Sequence, residues 1–172
     1  MKKLTTCFKS FIIKVAVTFF VVFTTITVLA ETVKGKIISV IDGDTVLART
    51  VDNRKIKIRL SGIDAPEKKQ PHGIESKKFL ENLIYSKIVK ISITKKDRYK
   101  RFIGMVFLNK TNVNLELVKS GNAWAYRRYL KKMNKRLEEA FIKAESHAQY
   151  KKNGLWKEPS PTPPWLWRRK NK

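Results

Sequence analysis

Two short acidic loops at the ends of strand-like segments constrain this chain more than any other feature. The first loop carries Asp42 and Asp44, and the second carries Asp64 and Glu67. Two carboxylates held 4 Å apart repel each other by about 4 kcal/mol at an effective dielectric constant of 20. The chain has only 14 acidic residues against 38 basic ones, so we expect a cation to offset such a cluster. Together the loops predict a calcium-type site of oxygen ligands, with Arg59 beside it.

Each loop also has a purely structural explanation when it is taken alone. Asp42-Gly43 is a strong hairpin signal, and Pro66 forces the residue before it out of helical geometry. An EF-hand is excluded, because Val46 occupies the position of the fifth-residue ligand. The prediction of a site therefore depends on the two loops acting together.

The segments around the loops have the alternating pattern of β-strands. In residues 55–63, Ile56, Ile58 and Leu60 share one face and Arg59 lies on the other. The sequence predicts strands over residues 33–41, 45–50, 55–63, 87–94 and 102–108, and helices over residues 74–85, 113–119 and 132–151. We therefore predict an α+β fold, a five-stranded β-barrel of the oligonucleotide-binding (OB) type with about three helices. Strand number alone does not separate it from other α+β folds with five strands.

The net charge of +24 predicts an anionic partner. Nucleic acid, an anionic membrane and an acidic polymer all fit this charge. The alternative is a highly charged surface that serves only solubility.

The first thirty residues have the pattern of a signal peptide. Four lysines precede and enter an apolar run that ends in a small residue, Ala30, as a cleavage site does. The run is short for a membrane span, which needs about 20 residues, although an uncleaved anchor is the alternative. We predict cleavage after Ala30 and a secreted or periplasmic protein without membrane attachment. Residues 31–157 would then form the barrel domain, and residues 158–172 a basic tail rich in proline and tryptophan.

Cysteine and histidine usage excludes several kinds of site. Cys7, the single cysteine, would be lost on cleavage, which leaves no disulfide or thiol chemistry. His72 and His147 are the only histidines and lie far apart in the sequence. This argues against a zinc site, a histidine-based nuclease motif and a Ser-His-Asp triad.

Five motifs, in order and at suitable spacing, resemble the thermonuclease family, whose best-known member is staphylococcal nuclease. The similarity runs from about Val33 to Trp156. The motifs are IDGDT at residues 41–45, RLSGIDAPE at 59–67, DRYKR at 97–101, GNAW at 121–124 and GLW at 154–156. The tail, with Pro163-Pro164-Trp165 followed by Arg168, resembles the exported bacterial branch of the family. The resemblance implies a calcium-dependent phosphodiesterase (endonuclease) that cleaves DNA and/or RNA, with a monomer as the default state.

The resemblance also implies the metal site. Asp44 and Asp64 would bind Ca²⁺ through their carboxylates, and Ala65 through its backbone carbonyl. Asp42 would act through a bound water. Glu67 would stand next to the attacking water, where we hypothesise that it is the general base.

Contacts with the substrate are implied in the same way. Arg59 and Arg101 would bind the scissile phosphate, since each offers a fixed fork of donors. Arg98 and Tyr99 would lie beside the nucleotide, and Tyr129 is a candidate stacking residue.

Three positions depart from the family pattern. Ala65 replaces a threonine, a change that leaves a backbone ligand intact. Lys100 replaces a glycine, so that a positive φ there would strain the lysine and affect the placement of Arg101. Arg127 occupies what is elsewhere an aromatic stacking position.

Two other functions compete with the enzyme. A non-catalytic nucleic-acid-binding OB module would need the basic surface but not the carboxylates. A cationic membrane-active or envelope protein would use the charge together with Trp165 and Trp167, but it leaves the acidic cluster unexplained.

Overall fold

Eight strands and five α-helices are present in residues 31–171, the part of the chain that this computed structural model describes. The strands are β1 (Glu31–Val40), β2 (Thr45–Thr50), β3 (Lys55–Leu60), β4 (Ile63–Asp64), β5 (Ile88–Lys96), β6 (Phe102–Leu108), β7 (Thr111–Asn112) and β8 (Trp124–Ala125). The helices are α1 (Gly73–Ile84), α2 (Val113–Lys119), α3 (Arg127–Leu130), α4 (Lys135–Tyr150) and α5 (Pro164–Lys170), with a 3-10 helix over Gly154–Lys157.

Five of the strands close into a barrel. Antiparallel pairing gives the order β3-β2-β1-β5-β6, and a parallel pairing of β3 with β6 closes the ring. Strand β7 adds to β6, while β4 and β8 form a separate two-stranded ribbon. The predicted α+β fold with a five-stranded OB-type barrel is confirmed.

The helices differ from the prediction in number and position. About three were expected, whereas residues 31–171 contain five. The predicted helix over residues 132–151 begins at Lys135, because the Asn134 side chain caps it by accepting a hydrogen bond from the Leu137 amide at 2.9 Å. Helix α5 lies in the proline-rich tail and begins at Pro164, where a missing amide hydrogen removes no helical bond.

The alternation in β3 produces the inward face that the sequence predicts. Ile58 and Leu60 are fully buried and Ile56 nearly so, while Lys55 and Lys57 are exposed. Helix α4 contributes the fully buried side chain of Phe141 and closes the core on one side.

A buried asparagine fixes the turn that leads from β3 into the second acidic loop. Asn114 of α2 donates to the carbonyl oxygens of Ser61 at 2.9 Å and Gly104 at 3.2 Å. Its side-chain oxygen accepts from the Val106 amide at 3.0 Å. Because buried amides are strongly favoured to keep such bonds, Asn114 ties the turn at Ser61 and Gly62 to β6.

None of the helices within residues 31–171 is long and apolar enough to cross a bilayer. The predicted signal peptide, residues 1–30, lies outside the described residues.

Candidate active site

The two acidic loops meet at one guanidinium group. Arg59 Nη2 lies 3.0 Å from Asp44 Oδ2 and 2.8 Å from Asp64 Oδ1. Both carboxylates are buried, with Asp44 6% and Asp64 1% exposed. The register explains the meeting, because Arg59 in β3 pairs with Thr45 in β2, directly after the first loop. The structure thus brings together three residues that the sequence predicts to share a site.

Close packing holds the first loop against the second. The Asp42 side chain accepts a hydrogen bond from the Asp44 amide at 3.0 Å, which shapes the turn. A Cβ atom at Gly43 would lie 2.1 Å from Ser76 Oγ and 2.7 Å from Ala65 Cβ. Glycine is therefore required at this position because any side chain would push the loops apart.

A backbone amide of the second loop also holds Asp44. The Ala65 amide donates to Asp44 Oδ2 at 2.8 Å. The pKa of Asp44 is raised to about 7, mainly by burial and to a smaller extent by nearby Asp42 and Asp64, while Arg59 and the Ala65 amide act to lower it. Burial thus disfavours the ionised form of this carboxyl in the absence of a further cation.

Arg59 is fixed from a second direction as well. Its Nη1 donates to the carbonyl oxygen of Leu60 at 2.7 Å and to that of Ile63 at 3.0 Å. One nitrogen of the guanidinium group, Nη1, thus binds backbone carbonyl oxygens of the turn, and the other, Nη2, binds the two carboxylates.

A second arginine, which was not among the predicted site residues, enters the site from α5. Arg168 Nη2 lies 2.8 Å from Asp64 Oδ2, and its Nη1 lies 2.7 Å from Glu67 Oε1 and 3.3 Å from Asp64 Oδ1. Burial acts to lower the pKa of Arg168, but its hydrogen bonds with Asp64 and Glu67 outweigh this and raise it. The only sequence signal for this contact was the tail pattern of Pro163-Pro164-Trp165 followed by Arg168.

The other predicted phosphate ligand, Arg101, lies at the end of a tight turn. Its Nε and Nη2 each lie 2.8 Å from Asp97 Oδ2, and its amide donates to Asp97 Oδ1 at 3.0 Å. Burial acts to raise the pKa of Asp97, but the bonds from Arg101 and from the Tyr99 amide outweigh it and lower the pKa. Within residues 31–171, Arg101 makes no salt bridge or hydrogen bond to Asp44 or Asp64. It lies two residues before Ile103, the register partner of Arg59 in β6.

The turn before Arg101 is strained as anticipated. Lys100 has a φ of +62°, a conformation that favours glycine. Arg98 donates to the Tyr99 hydroxyl at 2.8 Å, and the guanidinium groups of Arg98 and Arg101 lie 4.8 and 5.5 Å from the Tyr99 ring centre. Tyr99 itself is 64% exposed.

Aromatic side chains line a second region beside Asp64. Tyr126 stacks on Trp165 of α5 with ring centres 5.3 Å apart and planes 4° apart, and it meets Tyr129 edge to face at 4.8 Å. Burial, followed by the Asp64 charge, raises the pKa of Tyr126. Tyr129 is 40% exposed, so it is accessible for the predicted stacking. Arg127 occupies the position where the family pattern has an aromatic stacking residue. It forms a salt bridge of 2.6 Å with the buried Glu145.

The donor set at the two loops suits a hard divalent cation. More carboxylates than guanidinium groups lie at the site: Asp42, Asp44, Asp64 and Glu67 against Arg59 and Arg168. Within residues 31–171, no three His, Cys, Asp or Glu side chains are arranged so that they could hold a metal ion by themselves. The expected set has two carboxylates, a carbonyl and waters, as calcium accepts.

Comparison with known proteins gives one consistent family. Residues 57–158 match the family described as staphylococcal nuclease homologue. The chain is 42% identical over 137 residues to a protein of Haemophilus influenzae described as an uncharacterized endonuclease, covering 80% of this chain and 74% of that protein. It is 34% identical over 148 residues to a micrococcal nuclease of Shigella flexneri, covering 81% and 82% of the two chains. A staphylococcal-like nuclease of Arabidopsis thaliana shares 41% identity over 119 residues, covering 69% of this chain and 35% of the plant protein.

Proposed function

The chain belongs to the family of staphylococcal nuclease homologues, and from that premise we propose that it is a calcium-dependent endonuclease that hydrolyses phosphodiester bonds in DNA and/or RNA. The observation that carries the proposal is the buried contact of Arg59 with both Asp44 and Asp64. It combines oxygen ligands for a hard cation with a guanidinium fork for phosphate oxygens. A non-catalytic binding module would need only the fork.

The proposed metal ligands are the carboxylates of Asp44 and Asp64 and the carbonyl of Ala65, with Asp42 acting through water. When bound there, Ca²⁺ would supply electrophilic polarisation of a phosphate oxygen and orient a water molecule. Both carboxylates already lie within 3.0 Å of the same guanidinium nitrogen of Arg59. They are therefore close enough to face one cation.

In the proposed mechanism the arginines stabilise the negative charge that develops on the phosphate oxygens. Arg59 would exchange part of its contact with the carboxylates for hydrogen bonds to the scissile phosphate. Arg101, released from Asp97, would supply the second fork. Phosphoryl transfer depends mainly on such positioning and electrostatic stabilisation. Glu67 would take the proton of the attacking water, as the hypothesised general base.

The exposed side chains beside the site would hold the nucleotide. Arg98 and Tyr99 lie on the turn before Arg101, and the exposed ring of Tyr129 lies against Tyr126. Base stacking on aromatic rings tolerates any sequence. We also propose that the chain acts as an exported monomer, secreted or periplasmic, after cleavage at Ala30.

Cleavage assays on the chain from Glu31 test this function. Single-stranded DNA and RNA are incubated separately in millimolar calcium, with and without a chelator. We expect cleavage that the chelator abolishes and that Asp64→Asn lowers by at least about 10²-fold. The matched control is Asp52→Asn, which removes an exposed acid in the turn between β2 and β3 and should leave the rate unchanged. Salt-sensitive binding without cleavage would replace the enzyme with the binding module.

A further inference from the structure

The tail that follows the motif at residues 154–156 is anchored to the loop that carries Glu67. Gln70 is 6% exposed and bonds in two directions. Its side-chain oxygen accepts from the Glu67 amide at 3.1 Å, and its side-chain nitrogen donates to the Thr162 carbonyl at 2.5 Å. One buried side chain therefore connects the backbone of the acidic loop with the backbone of the tail.

Aromatic packing fixes the helix that follows. Pro164, the first residue of α5, is buried. Trp165 stacks on Tyr126 and meets Trp124 edge to face with ring centres 5.7 Å apart. Such pairs add about 0.5–1.5 kcal/mol each beyond their area burial. Helix α5 is thus held by a proline and a tryptophan, and its next turn presents Arg168 to the site.

Arg168 is the one side-chain partner of the Glu67 carboxylate within residues 31–171. The Glu67 side chain is 43% exposed and receives the 2.7 Å bond from Arg168 Nη1. Without this bond it would be a solvated carboxylate with several rotamers open to it. The same guanidinium holds Asp64 Oδ2 at 2.8 Å and Oδ1 at 3.3 Å, while Arg59 contacts Oδ1 at 2.8 Å.

We propose that Arg168 is a positioning residue of the active site, which aligns Glu67 and Asp64, and that the tail from residue 158 is part of the catalytic unit. This proposal rests on the nuclease function proposed above. A planar guanidinium can bridge two carboxylates with separate N–H groups, whereas a lysine ammonium acts as a point charge. Arg168 would therefore restrict Glu67 to one orientation and place it beside the ligand Asp64.

The test compares Arg168→Ala, Arg168→Lys and Arg169→Ala in the chain from Glu31. Arg169→Ala is the matched control, since it removes one exposed charge from the same helix. The measurements are kcat and KM on single-stranded DNA, calcium affinity by titration calorimetry, and the melting temperature. Each variant is also assayed with millimolar guanidinium ion, which can enter the space left by the deleted side chain.

We expect Arg168→Ala to lower kcat by about 10–100-fold, as loss of a partner that orients a metal-site ligand does. KM should change by less than about threefold, and Arg168→Lys should recover only part of the loss. Guanidinium ion should raise kcat of Arg168→Ala and leave Arg169→Ala unchanged. Calcium should bind Arg168→Ala no more weakly than the original chain, because a positive charge beside Asp64 has been removed.

Three results would overturn the proposal. A kcat of Arg168→Ala within about twofold of the original would show that the tail contact has no catalytic consequence. An increased kcat would make Arg168 a restraint on the site instead. A loss of kcat accompanied by weaker calcium binding and no response to guanidinium would indicate a purely structural role. Absence of cleavage by the original chain would instead refute the nuclease function itself, and this proposal with it.

Discussion

Arg59 and Arg101 are both expected to bind the scissile phosphate, yet they are held in different ways. The partners of Arg59 come from two loops that the barrel brings together, and its side chain is 15% exposed. The partner of Arg101 is Asp97, within the same turn, and its side chain is 28% exposed. The geometry at Arg59 therefore depends on the whole barrel, whereas that at Arg101 depends on one local turn beside a positive φ.

The largest effect is expected from removing the two arginines separately. Arg59→Ala should lower kcat/KM by about 10³-fold and Arg101→Ala by about 10²-fold, in the range for loss of one charge-stabilising donor. Only Arg59→Ala should also lower the melting temperature of the chelated protein, since it leaves the buried Asp44 without a guanidinium partner and Asp64 with Arg168 alone. Steady-state kinetics and thermal melts measure both effects.

The control for these variants is Lys57→Ala, which removes a charge from the same outward face of β3. It should reproduce neither change. Equal losses of melting temperature in Arg59→Ala and Arg101→Ala would contradict the contrast between barrel and turn.

The burial of the Asp44 carboxyl beside Arg59 predicts an unusual pH dependence. Asp44 has a pKa of about 7 in the folded chain, above its value of about 3.9 in an unfolded one. The folded state therefore binds more protons between these values, so the free energy of unfolding decreases as pH rises. For the chelated protein the decrease due to Asp44 should be on the order of 2–3 kcal/mol between pH 5 and 7.5.

Urea unfolding in the presence of a chelator measures this slope. Asp44→Asn should reduce the dependence of the unfolding free energy on pH. Asp97→Asn is the control and should not reduce it, because the pKa of the Asp97 carboxyl is lowered, not raised. Saturating calcium should also reduce the slope in the original chain, because the cation offsets the ionised carboxylate. Stability that rises over this pH range in both the original chain and Asp44→Asn would contradict the assignment.

How much the sequence could reveal differs between the same two regions. Alternation in residues 55–63 and in four further segments favoured a five-stranded barrel without excluding other α+β folds, and the acidic loops predicted the site that gathers Asp44, Asp64 and Arg59. These contacts follow from strand pairing, which periodicity encodes directly. The hydrogen bonds between Arg101 and Asp97 depend on side-chain rotamers within one turn. The hydrophobic periodicity of the sequence does not predict such rotamers.

The contribution of the tail could not be predicted for another reason. Its composition indicated only a basic tail rich in proline and tryptophan, and nothing local connects Arg168 with an acid about a hundred residues earlier. That contact arises because Trp165 packs against both Trp124 and Tyr126, a match of shapes that only the folded chain displays.

The short helix α3 could not be predicted either. It is a single helical turn, too short to have a detectable hydrophobic period.

The smallest effect is expected from relieving the strain beside Arg101. Lys100→Gly should raise the free energy of unfolding by about 1 kcal/mol, because a left-handed conformation costs a residue with a Cβ about 1–2 kcal/mol and glycine's greater unfolded-state entropy offsets part of the gain. The rate of cleavage should change by less than about twofold, since Asp97 still holds Arg101 through three contacts.

The matched control is Asn53→Gly, at a φ of +63° in an exposed turn. The gain in unfolding free energy should be smaller there, because asparagine tolerates this conformation. Urea unfolding and kcat/KM measure the two effects. A stabilised Lys100→Gly variant with a large change in kcat/KM would mean that backbone strain at Lys100, rather than Asp97, determines where Arg101 lies.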